Sequence, residues 1–272
     1  MSSKSSDLLG KCRAVLGEYS GRITLRQLYY RLVAAQVIEN SQASYKRLVA
    51  LLTRARKAGE FPTDAFCDLT REPVTPGCWA DLPSFLEAVG RSYRRDPWQS
   101  QERRPEVWVE KEALATVFAP ICRRYGVTLQ VCRGYPSVTC LVEAAAGTDR
   151  ILYFGDFDPS GQDIPRSIQE EMRETWGADV SLDLIALTAG QIEEHHLPPA
   201  PAKGTDSRTP GFVAAHGAGT VELDALPPEV LEQLIVEAIE REIEDAEAWQ
   251  DALDQDADER RALAEIIRGG GR

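Results

Sequence analysis

Apolar residues recur at helical spacing from the start of the chain. Leu8, Leu9, Cys12, Val15, Leu16 and Tyr19 predict a helix over 7–19. Thr24 is a suitable N-cap for a second, LRQLYYRLVAA. After Asn40-Ser41, Ser44 can cap a third, YKRLVALLTRARKAG, closed by Gly59 and Pro62. Three short helices with a basic last member are the pattern of a helix-turn-helix or winged-helix module. Its wing strands would have to come from residues 60–80, where alternation is weak. The stretch 62–105 is rich in Pro, Asp and Arg, with one predicted helix at 83–93 and a very polar end, SQERRPE.

Beyond 105 the pattern alternates strand and helix. Val107–Val109, Val127–Val131, Arg150–Gly155 and Leu182–Ala186 read as strands. Helices are expected between them, at about 111–125, from the Gly134-Tyr135-Pro136-Ser137 turn to about 146, and from the Asp156–Gly161 loop to about 176. Repeated βα units with continuously apolar strands predict a mostly parallel sheet covered on both faces. Residues 198–220, rich in Pro, Gly and Ala, are expected as loop. Pro227-Pro228 opens a long helix, 229 to about 250, with Val230, Leu231, Leu234, Ile235, Ala238, Ile239 and Ile243 on one face and acids opposite. The terminal Gly-Gly-Gly-Arg is expected to fray. The fold class is therefore α/β: a helical winged-helix-like domain over 1–95, linker included, then a mostly parallel α/β domain with an acidic C-terminal helix over 105–272.

Charge changes this picture more than composition does. The 272 residues carry a net charge of −12, which would argue against a nucleic-acid partner if it were uniform. Residues 1–62 hold 11 Lys/Arg against 4 Asp/Glu, whereas 221–272 hold 5 against 16. A basic head on an acidic body permits a nucleic-acid footprint at the head alone. On the third helix, Lys46, Arg47, Arg54 and Lys57 lie opposite Tyr45, Leu48, Val49 and Leu52, as on a helix that contacts phosphates first and bases second. A solvated basic stripe gives the same pattern. No apolar run is long enough to span a membrane, and the N-terminus lacks the apolar stretch of a secretory signal. None of the six cysteines form a C-x-x-C pair, so a reduced cytoplasmic chain is expected.

Ligands of open α/β sheets bind at the carboxyl ends of strands. Glu110 follows the first strand; Asp156 and Asp158 follow the third, on the same side if that segment is extended. Such oxygen donors suit Mg²⁺ and Lewis-acid chemistry on a phosphodiester. Helix capping by Asp158 is the competing reading. Glu222-Leu223-Asp224 is a further candidate strand end that would lend a carboxylate to the site, with a cap for the following helix the favoured reading of Asp224. Lys111 pairs with a phosphate or with a carboxylate. His195, His196 and His216 are read as surface residues.

Three segments occur in order on βα junctions: V-E-K-E-A at 109–113, G-Y-P-S at 134–137 and D-F-D-P-S-G at 156–161. Together they resemble a Toprim domain. The version they are most similar to is that of the DNA-cleaving A subunit of type IIB topoisomerases (topoisomerase VI) and the meiotic Spo11 proteins. The resemblance covers roughly 20–60 and 105–190. It implies that Glu110, Asp156 and Asp158 hold Mg²⁺. It also implies a nucleophilic tyrosine in an N-terminal winged-helix domain, a 5′-phosphotyrosyl product, and a homodimer in which each tyrosine meets the partner's metal site. The chain is shorter than the family's A subunits and carries no ATPase segment, which leaves a separate ATPase subunit as a possible partner.

The matching stretch, T-L-R-Q-L-Y-Y-R-L-V, holds two tyrosines. At about 100° per residue, Leu25, Leu28, Tyr29, Leu32 and Val33 share an apolar face, and Tyr30 lies off it near Arg26. Tyr29 is thus read as core. Tyr30 is read as the accessible candidate nucleophile, with Arg26 placed to favour a phosphate or phenolate. A packing role for Tyr30 is the alternative. The functional expectation is Mg²⁺-dependent DNA cleavage through Tyr30. The alternatives are hydrolysis by water at the same site, and a non-enzymatic winged-helix DNA-binding regulator.

Overall fold

The computed structural model describes residues 3–19, 22–62, 65–66, 76–201 and 207–269. These form an α/β structure with eleven α-helices, a four-stranded parallel sheet and a two-stranded antiparallel one. No helix among the described residues is long and apolar enough to cross a membrane.

The N-terminal helices are α1 (Ser3–Leu16), α2 (Leu25–Ala34) and α3 (Gln42–Lys57). The first starts and ends earlier than the expected 7–19. The second begins at the expected cap: Thr24 and Gln27 satisfy each other's backbone N–H in a capping box. The third begins earlier than expected. Ser41, not Ser44, is its cap, accepting from the Ser44 N–H, so Ser44 lies inside the first turn. Gly59 takes a left-handed φ of 71° just past the helix end. Leu9, Cys12, Leu28, Leu32, Leu48 and Leu52 form the shared core of this unit. Among the described residues the only pairing in the expected wing region is a single bridge between Ile23 and Phe66. The remainder of that expectation, with Cys67, falls largely outside the described residues, as does the terminal Gly-Gly-Gly-Arg.

Helix α4 (Leu82–Ser92) and a 3₁₀ turn at Pro97–Ser100 lead into the sheet. Its strands are β1 (Pro105–Val109), β2 (Thr128–Val131), β3 (Arg150–Phe154) and β4 (Ser181–Ala186), in the order β2-β1-β3-β4, all parallel. Period-two alternation sorts the inner strands cleanly. Val107, Val109, Leu152 and Phe154 enter one core; Trp108, Ile151 and Tyr153 enter the other. Helices α5 (Ala115–Tyr125) and α10 (Pro228–Glu240) cover the first face, α6 (Val138–Ala145) and α7 (Pro159–Trp176) the second. The chain leaves β1 for α5 on one face and leaves the adjacent β3 for α7 on the other. A crevice therefore opens between the carboxyl ends of β1 and β3, the switch point where open sheets bind ligands.

Two expectations fail here. The 198–220 segment is not plain loop. Beyond α8 (Ala189–Glu194), β5 (Ala200–Pro201) pairs antiparallel with β6 (Gly219–Thr220), and α9 (Thr209–His216) lies between them. The predicted continuous helix from 229 to 250 is broken into α10 and α11 (Ala246–Gly269). Gln101, from the distant linker, occupies the break. Its side chain accepts from the Glu244 and Asp245 N–H groups and donates to the Asp245 carbonyl, while Asp245 caps α11 through the Ala248 N–H.

Phe118 on α5 is fully buried and meets Phe154 edge-on at 4.9 Å. Phe118→Ala is expected to cost about 3–5 kcal/mol, seen as a lower denaturant midpoint at unchanged slope.

Candidate functional site

The crevice holds a cavity of about 710 Å³ lined by Arg26, Tyr30, Glu110, Asp156, Asp158 and Glu222, among others. Glu110 reaches it because β1 ends one residue earlier and β1 pairs with β3. The Glu110 N–H donates to the Phe154 carbonyl at 2.8 Å, and its Oε2 accepts from the Asp156 N–H at 3.0 Å. Asp158 is the N-cap of α7: its Oδ1 accepts from Ser160 and Gly161 N–H groups at 2.9 and 2.7 Å. The capping reading thus holds for Asp158, which still lines the cavity. Asp156 is buried; its Oδ1 accepts from the Leu223 N–H at 2.7 Å.

Gly161 explains the last letter of D-F-D-P-S-G. A Cβ there would lie 2.1 Å from the Asp156 carbonyl oxygen. The first turn of α7 therefore packs directly on the backbone that presents Asp156, and only glycine permits the approach.

Lys111 chooses carboxylates. Its Nζ lies 3.1 Å from Asp156 Oδ1, 2.8 Å from Asp224 Oδ1 and 2.5 Å from Glu222 Oε2. Asp224 is buried and does not cap α10, whose N-cap Pro227 makes no side-chain cap bond. The cap expectation fails because Asp224 is turned inward to Lys111 and Arg26. Arg26 Nη2 pairs with Glu222, and Arg26 Nε lies 3.5 Å from Asp224 Oδ2.

Burial and crowding set the proton affinities. Burial raises the Asp156 carboxyl to about 7, the ammonium of Lys111 notwithstanding, with Glu110 and Asp224 adding to the rise. Burial also raises Glu110, with Asp158 contributing. Glu222 goes the other way: burial opposes ionisation, but Lys111, Tyr30 and Arg26 together outweigh it and hold the carboxylate down at about 2. Burial alone would lower Lys111; Asp224, Asp156 and Glu222 overcome it and raise it.

Tyr29 sits in the helical core, its hydroxyl 3.1 Å from Asn40 Oδ1. Tyr30 is not the accessible side chain that helix geometry alone suggests: it is 7% exposed. Its ring lies 5.8 Å from Arg26 Cζ and 5.7 Å from Lys111 Nζ, and its hydroxyl accepts from Arg26 Nη2 at 3.5 Å. The second surface that buries it is the 3₁₀ turn Leu223–Ala225, nearly two hundred residues away. Burial raises the phenol pKa, the neighbouring acids raise it further, and Arg26 offsets this only in part. Lys46, Arg47, Arg54 and Lys57 are exposed on α3 and do not line the cavity. His216 is exposed beside Phe157 and Phe212.

The donor chemistry of Glu110, Asp156 and Asp158 fits a hard divalent cation: all oxygen, partly desolvated, and crowded by like charge. As they stand, however, no three His, Cys, Asp or Glu side chains among the described residues converge as a metal cluster. The E-L-D segment does bring its carboxylates to the cavity, but sequence reasoning did not identify Arg26 and Lys111 as their partners. No protein-family model matches this chain, and no curated protein matches it significantly.

Two substitutions probe this construction. Gly161→Ala is expected to destabilise by about 1–3 kcal/mol through overpacking against Asp156, read by chemical denaturation. Lys111→Met strands Asp156 and Asp224 and is expected to cost about 3–5 kcal/mol, read as a loss of thermal stability.

Proposed function

We propose that this protein cleaves DNA phosphodiesters in a Mg²⁺-dependent reaction, with Tyr30 as the nucleophile. One observation carries the reading: Tyr30, Arg26 and the acids Glu110, Asp156 and Asp158 line a single cavity at the switch point of a parallel sheet. Glu110, Asp156 and Asp158 would hold the ion, which when bound supplies Lewis-acid stabilisation of charge on the phosphate. The chain's own groups do the rest. Tyr30 Oη attacks phosphorus and its proton passes to solvent water, which also supplies the proton taken up by the leaving oxygen. A 5′-phosphotyrosyl bond forms, the bond to the 3′ oxygen breaks, and that oxygen leaves as a hydroxyl after taking up a proton. Arg26, 3.5 Å from the phenol oxygen, orients it and neutralises the phosphate. The exposed cations of α3 bind the flanking DNA backbone.

A second reading has a specific observation in its favour. A buried phenol with a raised pKa is a poor resting nucleophile, which favours water as the attacking group at the same acids. Incubating supercoiled DNA with Mg²⁺ and the purified chain, then stopping with detergent, separates the two. Tyrosine attack gives cleaved DNA attached to protein; Tyr30→Phe loses the adduct and the cleavage, as does Asp156→Asn. Water attack gives protein-free ends, which Tyr30→Phe leaves intact and Asp156→Asn abolishes. Uncut DNA with the wild-type chain and Mg²⁺ would end both readings and leave a DNA-binding module.

A further inference from the structure

Tyr153 carries a hydroxyl that no part of the proposed reaction uses. It lies on β3, fully buried, and its ring belongs to the core formed with Trp108, Leu141 and Ile164. Among the described residues its Oη has no hydrogen-bond partner. A buried hydroxyl left unpaired is unfavourable, so such a group calls for an explanation.

Strand register shows where that hydroxyl points. β1 pairs with β3 as Trp108 with Tyr153 and Val109 with Phe154, so the next positions along are Glu110 and Gly155. Residues 108, 110, 153 and 155 therefore share one side of the sheet. Gly155 leaves room between the two polar groups. A Cβ there would lie 2.5 Å from Tyr153 Cε1, 2.9 Å from Tyr153 Oη and 3.1 Å from Glu110 Oε2. The phenol oxygen and the carboxylate thus converge on the spot that the glycine keeps open. Burial raises the phenol pKa, and Glu110 adds to the rise more than any other acid, so the group stays a neutral donor.

We infer that Tyr153 is a positioning residue whose hydroxyl donates to the Glu110 carboxylate when that carboxylate holds a divalent cation. The inference rests on the ion-binding part proposed above for Glu110. Carboxylates that hold a metal are themselves oriented by hydrogen bonds from the protein. The Asp156 N–H already fixes Glu110 Oε2 at 3.0 Å. A phenol locked in the core of the neighbouring strand is placed to supply a second donor from the core side. Its unpaired state without the ion, and its nearness to Glu110 rather than to any other acceptor, are then one observation.

The test uses the full chain with Mg²⁺ alone, in the absence of DNA. Calorimetric titration gives the affinity, and thermal melts with and without the ion give the stability. Tyr153→Phe keeps the ring and removes only the oxygen. Without Mg²⁺ it is expected to melt at the wild-type temperature or above, because an unpaired hydroxyl has been removed. It is expected to bind Mg²⁺ roughly 10–100-fold more weakly, and to gain correspondingly less in melting temperature from a fixed concentration of the ion. A side chain that only packs would not weaken the ion while leaving the ion-free melt intact. Unchanged affinity overturns the inference and leaves Glu110 free to be a ligand. A lower melting temperature without the ion also overturns it, since the hydroxyl would then have a partner in the ion-free fold. If the wild-type chain binds no Mg²⁺, the ion reading itself fails and the role of Tyr153 falls with it.

Discussion

The site depends on the pairing of β1 with β3. Both strands are short, both are buried on both faces, and their parallel register sets Val109 against Phe154. That register places the residue after β1, Glu110, against the backbone of the residues after β3. A slip of one residue would turn Glu110 to the opposite face and separate it from Asp156. The register is held by core packing on two sides, with Val107, Val109, Leu152 and Phe154 facing one layer and Trp108, Ile151 and Tyr153 the other. The acids are consequently fixed by hydrophobic burial, and their mutual repulsion is carried by the rest of the fold.

Lys111 is the answer to that repulsion. Bringing Glu110, Asp156, Glu222 and Asp224 into one region would be prohibitive without a buried cation, since desolvation already raises Asp156 and Glu110. A lysine directly after Glu110 reaches three of the four neighbours. Arg26 completes the balance from α2. The same two cations flank Tyr30, so charge balance in the α/β unit and placement of the helical unit are one problem with one solution.

How much of this could be read from the sequence follows from the range of the interactions involved. The sheet strands and the helix cap at Thr24 were legible because period-two alternation and a capping box are local. The placement of Glu110, Asp156 and Asp158 at one cavity was legible because strand ends follow from the strands. The break between α10 and α11 was not, because the groups that satisfy it belong to Gln101, more than a hundred residues away. Ser41 and Ser44 are both good caps, and spacing alone does not choose between them. Asp224 reads as a cap because an acid before a proline and a helix usually is one; its inward turn is dictated by Lys111, a partner no local pattern names.

Tyr30 shows the same principle at the point where it bears on chemistry. A helical wheel compares a side chain with the core of its own unit, and by that comparison Tyr30 points away. Yet Gln27, Leu28, Tyr29, Tyr30, Leu32 and Val33 are all buried, more than one face of α2. A helix covered on two sides has two partners, and the second is the turn that carries Glu222 and Asp224. The burial that makes the phenol a weak acid is therefore the same contact that brings it to the carboxylates. On the proposed reading, an anionic phosphate entering the cavity would compete with Glu222 for Arg26, which lies 3.5 Å from the Tyr30 hydroxyl. Burial of the phenol and its placement beside the acids are two consequences of one ion network, which a substrate charge would open.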